Sequence, residues 1–244
     1  MQNFKIDWKD VGFKSLKYLT ELFVVVFGVY IGFKANNYAE ELKQKDYVNT
    51  TIKEMYQGLA EDAKDAEDNK KGHLGGQKAI NYFLKLSNNN PVKKDSFEFY
   101  LLGVLTRNFV SIQNTAPFET IKSKGFNLIT NDSLRKNMIK LYDFQYEVLE
   151  KLEEKYQEMQ FYANEANHIN EILAPSILYD DEGKFVKVKM PLQISDQDRN
   201  RLILILKRFN FNRKFIISMY DTVIKDIQNL RKQLEEVYPF VLEK

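Results

Sequence analysis

The sequence predicts an all-α protein: an N-terminal transmembrane helix continuing into an antiparallel helical bundle, with a short β-hairpin near 177–190. Three observations carry this. One uncharged apolar run, Leu22–Phe33 (LFVVVFGVYIGF), lies near the start. Two long stretches further on carry apolar residues at alternating three- and four-residue steps. Between them, Gly, Pro and Asn clusters separate shorter helical segments.

A short tail, residues 1–15, precedes the membrane segment, which is assigned to residues 16–35. Lys17 and Glu21 bound the apolar run on one side and Lys34 on the other. Including Leu16–Glu21 and Lys34–Ala35 gives about 20 residues, enough at ~1.5 Å each to cross a ~30 Å hydrocarbon core. An uninterrupted run this short also occurs in buried core helices, and Lys5, Lys9, Lys14 and Lys17 would suit a signal peptide. Retention is favoured because the run is apolar on every face and Lys34-Ala35-Asn36-Asn37-Tyr38 is a poor cleavage site. Four lysines precede the span, against Lys43, Lys45 and Lys53 over a similar distance after it. This bias places the N-terminus in the cytoplasm and the large domain outside the inner membrane.

Within the span, Gly28 and Gly32 form G-x-x-x-G, a spacing that lets two helices approach closely in lipid. Glu21, Val25, Gly28 and Gly32 share one helical face. A carboxyl on the same stripe as two glycines suggests a helix–helix contact. The alternative is that Glu21 sits at headgroup level, paired with Lys17 four residues earlier.

The remaining residues, 36–244, read as one extramembrane domain. Tyr38–Asp68 extends the membrane helix. Lys70–Gln77 (KKGHLGGQ) reads as a turn on its three glycines. Lys78–Ser87 forms a short helix with Ile80, Phe83 and Leu84 on one face, ended by Asn88-Asn89-Asn90-Pro91. Ser96 caps a helix to about Thr106. Pro117 sits in the first turn of another, which Gly125 terminates.

Asn131 or Asp132 caps the first long seam: Leu134, Met138, Leu141, Val148, Leu152, Met159, Ala166, Ile169 and Leu173, with Gln145, Lys155 and Tyr162 between them. The spacing predicts one helix of about 40 residues ending at Pro175. Asp180-Asp181-Glu182-Gly183 turns a hairpin between Ile177–Tyr179 and Phe185–Met190. Asp196 caps a helix carrying Leu202, Ile205 and Leu206. The final helix carries the second seam: Phe209, Ile216, Tyr220, Val223, Ile227, Leu230, Leu234 and Val237. Phe144, Tyr146, Phe161, Phe211 and Phe215 are expected to fill a third layer of the core.

Composition narrows function mainly by exclusion. A net charge of +2 with interspersed Lys and Glu gives no case for nucleic acid binding. With no cysteine there is no disulfide framework, thiol nucleophile or Cys-type zinc site. Glu165-x-x-His168 has the spacing of a di-iron bundle motif, but the second copy is missing, because His73 has no matching Glu. Gly72, Gly75 and Gly76 do not form a phosphate loop, and Asp180–Glu182 lacks the alternating ligands of a calcium loop. No cofactor, metal or enzymatic activity is expected.

Two blocks carry a resemblance. Tyr18–Glu41 (YLTELFVVVFGVYIGFKANNYAEE) and Thr115–Arg135 (TAPFETIKSKGFNLITNDSLR) resemble a large bacterial family of uncharacterised single-pass membrane proteins. In that family a Glu begins the span, a Gly sits within it and an Asn-Asn-aromatic-x-Glu element closes it. The matching residues here are Glu21, Gly28, Asn36, Asn37, Tyr38 and Glu40. The second block resembles a Thr-Ala-x-x-Glu-x-Leu-Lys-x-x-Gly element followed by Leu-Ile-x-Asn-x-x-Leu. Lys34 departs from the family's apolar or amide preference and shortens the span. The resemblance implies an envelope location and this architecture, with no established activity.

The expected function is a membrane-anchored interaction or scaffold protein, contacting membrane lipid and either a second copy or another membrane protein. The alternative is a ligand-binding sensor that signals through its membrane helix. Such a sensor needs a cytoplasmic output, and so few residues precede the span that the output would belong to a partner.

Overall fold

The computed structural model describes residues 8–243, with side chains from Tyr18 onward except Lys94. Of the expected N-terminal tail, residues 1–7 lie outside the described residues and Trp8–Ser15 is helical, part of the first helix; the Lys17 half of the Lys17–Glu21 pairing lies outside the described side chains. The chain divides into two compact units, one running through Thr51 and the other covering Ile52–Lys244. It is all-helical apart from one hairpin, as expected.

Helix α1 runs Trp8–Ser87 and contributes to both units. In the first unit every residue of Tyr18–Phe33 is exposed. Among the described residues α1 is the one helix long and apolar enough to cross a membrane, by length and composition. Its most apolar window has a mean hydropathy of 1.5, and none of that window is buried.

In the second unit α1 turns a regular seam inward: Ile52, Met55, Leu59, Asp62, Ala66, His73, Gly76, Ile80 and Phe83 are buried, and Asn69 on the same stripe is half-buried. Steps of three and four residues keep one stripe inward. The expected turn at Lys70–Gln77 is therefore absent; α1 stays helical through all three glycines. A glycine costs a helix about 1 kcal/mol, and here neighbouring side chains use the space it leaves. A Cβ on Gly76 would lie 2.3 Å from Cζ of Arg213, and one on Gly72 would lie 2.3 Å from the ring of Phe109.

Helices α2 (Ala116–Lys124), α3 (Asp132–Ile139), α4 (Glu147–Glu150), α5 (Phe161–Leu173) and α6 (Asp196–Val237) complete the bundle. Pro117 opens α2 and Gly125 closes it at a φ of 107°, a left-handed-side value that favours glycine. Asn131 caps α3 by accepting from the Leu134 N–H at 2.9 Å. Ser195, one residue before the expected Asp196, caps α6 by accepting from the Asp198 N–H at 3.0 Å. Ser96 caps nothing: the segment after it enters a π-helical turn, Phe99–Leu105, with no side-chain cap.

The first seam is not one helix. π-helical turns at Lys140–Tyr146 and Lys151–Lys155 underwind the helix, and Tyr156–Gln160 breaks it before α5. Each π-turn inserts residues into the helical repeat and rotates the later face. Leu149 and Glu153 are therefore buried, in place of the expected Val148 and Leu152. Lys155 and Tyr162 are exposed, while Gln145 is buried. The helix expected at Asp196 and the final helix are one continuous helix, α6, along which the second seam is buried as expected, except that Val237 is half-buried. Tyr146 and Phe161 reach the core, but Phe144, Phe211 and Phe215 stay exposed, Phe211 at 74%. These three therefore add no third layer to the core.

α6 runs antiparallel to α1. Tyr56 meets Glu235, Lys70 meets Asp221, and His73 meets Arg213. It also runs antiparallel to α3–α5, through Asn137–Gln233, Lys140–Asp226 and Glu165–Arg208. The hairpin pairs β1 (Ile177–Tyr179) with β2 (Phe185–Val188), turning through Gly183 at a φ of 77°.

Candidate functional site

The fourth position of the bundle is taken by an extended segment, Arg107–Asn114, lying antiparallel to α1. Asn114 is beside Gly58 and Asp62, Ile112 beside Asp65, Val110 beside Asn69 and Phe109 beside Gly72. An extended strand without a neighbouring strand leaves its backbone N–H and C=O groups without ladder partners. Side chains from α1, α6 and the π-turns supply the partners, and these side chains form the polar centre of the molecule.

Asp62 accepts from the Asn114 N–H at 2.9 Å and from its side-chain amide at 2.6 Å, while Tyr146 donates to its other oxygen at 2.7 Å. Asp65 accepts from the Ile112 N–H at 3.0 Å. Asn69 donates to Asp65 and to the Val110 carbonyl. Glu153 accepts from both the N–H and the hydroxyl of Ser111 at 2.9 Å, and from the Tyr220 hydroxyl. Asn108 bridges to the start of α5, accepting from the Phe161 N–H and donating to Gln160.

Arg213 closes the other end. Its side chain is 0% exposed, and among the described residues it meets no carboxylate in an ion pair. It donates through Nη2 to the carbonyls of Val104, Leu105 and Arg107, at 3.3, 3.0 and 3.1 Å. Through Nη1 it donates to Nδ1 of His73 at 3.0 Å. Its guanidinium also lies over the Phe161 ring, 4.4 Å from the centroid. A buried charge costs several kcal/mol in lost hydration (roughly, after relaxation). Carbonyl dipoles and a ring face replace water here without neutralising the charge. Burial lowers the Arg213 pKa to about 10, which leaves it cationic.

His73 is 2% exposed. Because Arg213 donates to Nδ1, the proton of the neutral ring is on Nε2. Nε2 has no conventional hydrogen-bond partner, and the ring sits edge-on to Phe109 at 5.1 Å and tilted to Tyr220 at 5.8 Å. Burial first, and the Arg213 charge second, push its pKa down to about 3, so it stays neutral. Burial also raises the pKa of Asp62 and Glu153, while their hydrogen bonds pull the other way. The tyrosines beside them, Tyr146 and Tyr220, are raised mainly by burial. Every one of these groups is directed at the segment or at a partner that fastens it.

Composition could not reveal this set. Its members are spread over Asp62, His73, Glu153 and Arg213, and none forms a sequence motif. The available signal was a gap: continuing the three-and-four rhythm of Ile52, Met55 and Leu59 places Asp62, Asn69 and His73 on the buried stripe.

Glu21, Val25, Gly28 and Gly32 lie at steps of four, three and four residues on α1, and all four are exposed. Nothing lies within 4 Å of a Cβ built on Gly28 or Gly32. Phe23 and Phe27 stack beside them at 5.8 Å, and Lys34 caps the Tyr30 ring at 5.9 Å. The Glu165–His168 pair is engaged elsewhere: Glu165 pairs with Arg208 at 3.1 Å, and His168 Nδ1 faces Arg201 at 2.8 Å. No family model, characterised protein or solved structure matches the chain.

Proposed function

We propose that the chain is a membrane-anchored helical interaction or scaffold protein of the bacterial envelope. Its N-terminus lies in the cytoplasm and its bundle in the periplasm. It associates with a second copy or another membrane protein through the Glu21–Val25–Gly28–Gly32 face and the bundle surface. The supporting observation is the uncovered apolar stretch Tyr18–Phe33 on a helix that also supplies the inner seam of a packed bundle. Such a stretch is costly in water and suited to lipid. The titratable groups of the bundle act as fasteners for an extended segment, which favours a structural role over catalysis. The likeness of Tyr18–Glu41 and Thr115–Arg135 to single-pass envelope proteins agrees with this reading. Cysteines placed singly along Leu22–Phe33 test it. Cross-linking that peaks on the glycine face is expected, and equal cross-linking at every position would refute a specific contact there.

A further inference from the structure

We propose that the groove where the chain folds back over the end of α1 binds a small phosphate ester, with Lys78, Lys85 and Lys93 on the phosphate and Asn81, Ser96 and Tyr100 on the rest of the ligand. Lys78, Asn81, Tyr82 and Lys85 form one wall on a single face of α1, and Pro91, Val92, Lys93, Ser96 and Tyr100 form the other. The cavity holds about 370 Å³, within the ordinary range for small-molecule sites, roughly 300–1,000 Å³.

The chemistry of the lining is one-sided. Among the described residues it has three cations and no carboxylate. Some exposed lysines elsewhere in the domain meet an acid, as Lys122 meets Asp143 and Lys140 meets Asp226. Among the described residues, none of the three groove lysines is in an ion pair. Lys78 and Lys85 are two helical turns apart, about 10 Å along the axis, and Lys93 faces them from the opposite wall. Flexible ammonium groups in this arrangement can converge on one doubly charged anion.

The neutral groups point to more than inorganic phosphate. The side chains of Asn81, Ser96 and Tyr100 line the same cavity, and among the described residues they have no hydrogen-bond partner. The floor is preformed: Tyr82 is buried, donates to the Lys93 carbonyl at 2.9 Å and packs against Tyr100 at 5.2 Å. That bond fixes the second wall against α1, so the cavity does not depend on a ligand to assemble it. A hydroxylated carbon skeleton on a phosphate would use both halves of the groove, whether it is a free sugar phosphate or a phospholipid headgroup.

The test uses the full chain in neutral detergent, titrated by calorimetry with inorganic phosphate, with glycerol 3-phosphate, and with phosphatidic acid doped into the micelles. Glycerol 3-phosphate or phosphatidic acid should bind more tightly than inorganic phosphate. Saturation by the soluble ester identifies a free ligand as the source, and preference for the doped micelle identifies a lipid headgroup. The triple variant Lys78→Gln, Lys85→Gln, Lys93→Gln should weaken binding by at least about tenfold. Ser96→Ala with Asn81→Ala should weaken the ester and leave inorganic phosphate unchanged. A control triple variant on the hairpin, Lys184→Gln, Lys187→Gln, Lys189→Gln, removes the same charge and should leave binding intact. Failure of all three probes to bind, or equal loss in the two triple variants, would overturn the proposal.

Discussion

Alanine at Gly75 and at Gly76 should move stability in opposite directions, although the two residues adjoin on one helix. Replacing a helical glycine with alanine ordinarily gains about 1 kcal/mol. At Gly75 the new Cβ would meet Val104 Cγ1 at 3.5 Å, an ordinary contact, so that gain should appear in full. At Gly76 it would lie 2.3 Å from Cζ of Arg213 and 2.4 Å from Nε. An arginine tip is normally free to swing away. This one is fully buried and holds three carbonyls and His73, so moving it breaks several charged hydrogen bonds. Charged hydrogen bonds contribute about 1.5–3 kcal/mol each, and leaving a buried charge without its partners costs roughly 3–5 kcal/mol. Set against the propensity gain, Gly76→Ala should lose about 2–4 kcal/mol. For a domain of this size that is a fall of roughly 4–16 °C in midpoint, against a rise of about 2–4 °C for Gly75→Ala. Thermal unfolding of the full chain in mild detergent, followed by far-ultraviolet circular dichroism, measures both. Adding Arg213→Met to Gly76→Ala removes the clash, so the two losses should not add. Equal midpoints for the two alanine variants would refute the account of Arg213 as the fixed buried anchor.

Three further outcomes follow from the same structure. Neutral His73, with its pKa lowered from 6.5 to about 3, contributes stability that is complete above pH 6.5 and is lost as the pH falls toward 3, because the unfolded chain takes up the proton first. The slope reaches about 1.4 kcal/mol per pH unit. Asp62 and Glu153, raised by burial, oppose it nearer the carboxylate range, so denaturant midpoints should fall most clearly between pH 6.5 and 5 and flatten in His73→Gln. Leu149→Asp and Ile227→Asp place a charge at buried sites and should each cost more than about 3 kcal/mol, whereas Leu152→Asp, at a half-buried site, should cost less. Equal losses at 149 and 152 would contradict the π-turn shift. Gly28→Leu or Gly32→Leu should weaken association of the full chain in detergent without changing the melting of the bundle; a parallel loss of bundle stability would count against a contact confined to the span. Glu21→Gln keeps size and hydrogen bonding but removes charge, and should associate normally if Glu21 only packs.

The elements legible in the sequence were those with a purely apolar rhythm or a strong local signal. The α6 seam, the Asn131 cap, the Pro117 and Gly125 ends of α2 and the Asp180–Gly183 turn all fall where local chemistry places them. The errors share one cause. Glycines at 72, 75 and 76 read as a turn because local propensity cannot register Phe109 and Arg213, which arrive from more than 30 and more than 130 residues away in the chain. The seam through Leu152 slipped because a π-turn adds residues without any residue type that announces it. Nothing in the residue types of Arg107–Asn114 signals that the segment occupies a bundle position. Its partners, Asp62, Glu153 and Arg213, are polar residues on otherwise apolar stripes, and hydrophobic periodicity counts such residues as interruptions.

The most direct test of the central claim uses the absence of cysteine from the chain. Single cysteines at Lys5 and at the exposed hairpin residue Glu182 would be probed in intact spheroplasts with a membrane-impermeant maleimide. An anchored protein with its bundle outside the cytoplasm predicts labelling of Glu182→Cys, protection of Lys5→Cys until the membrane is lysed, and retention of both variants in the membrane after alkaline carbonate. Labelling of Lys5→Cys alone, or release of the chain by carbonate, would contradict it.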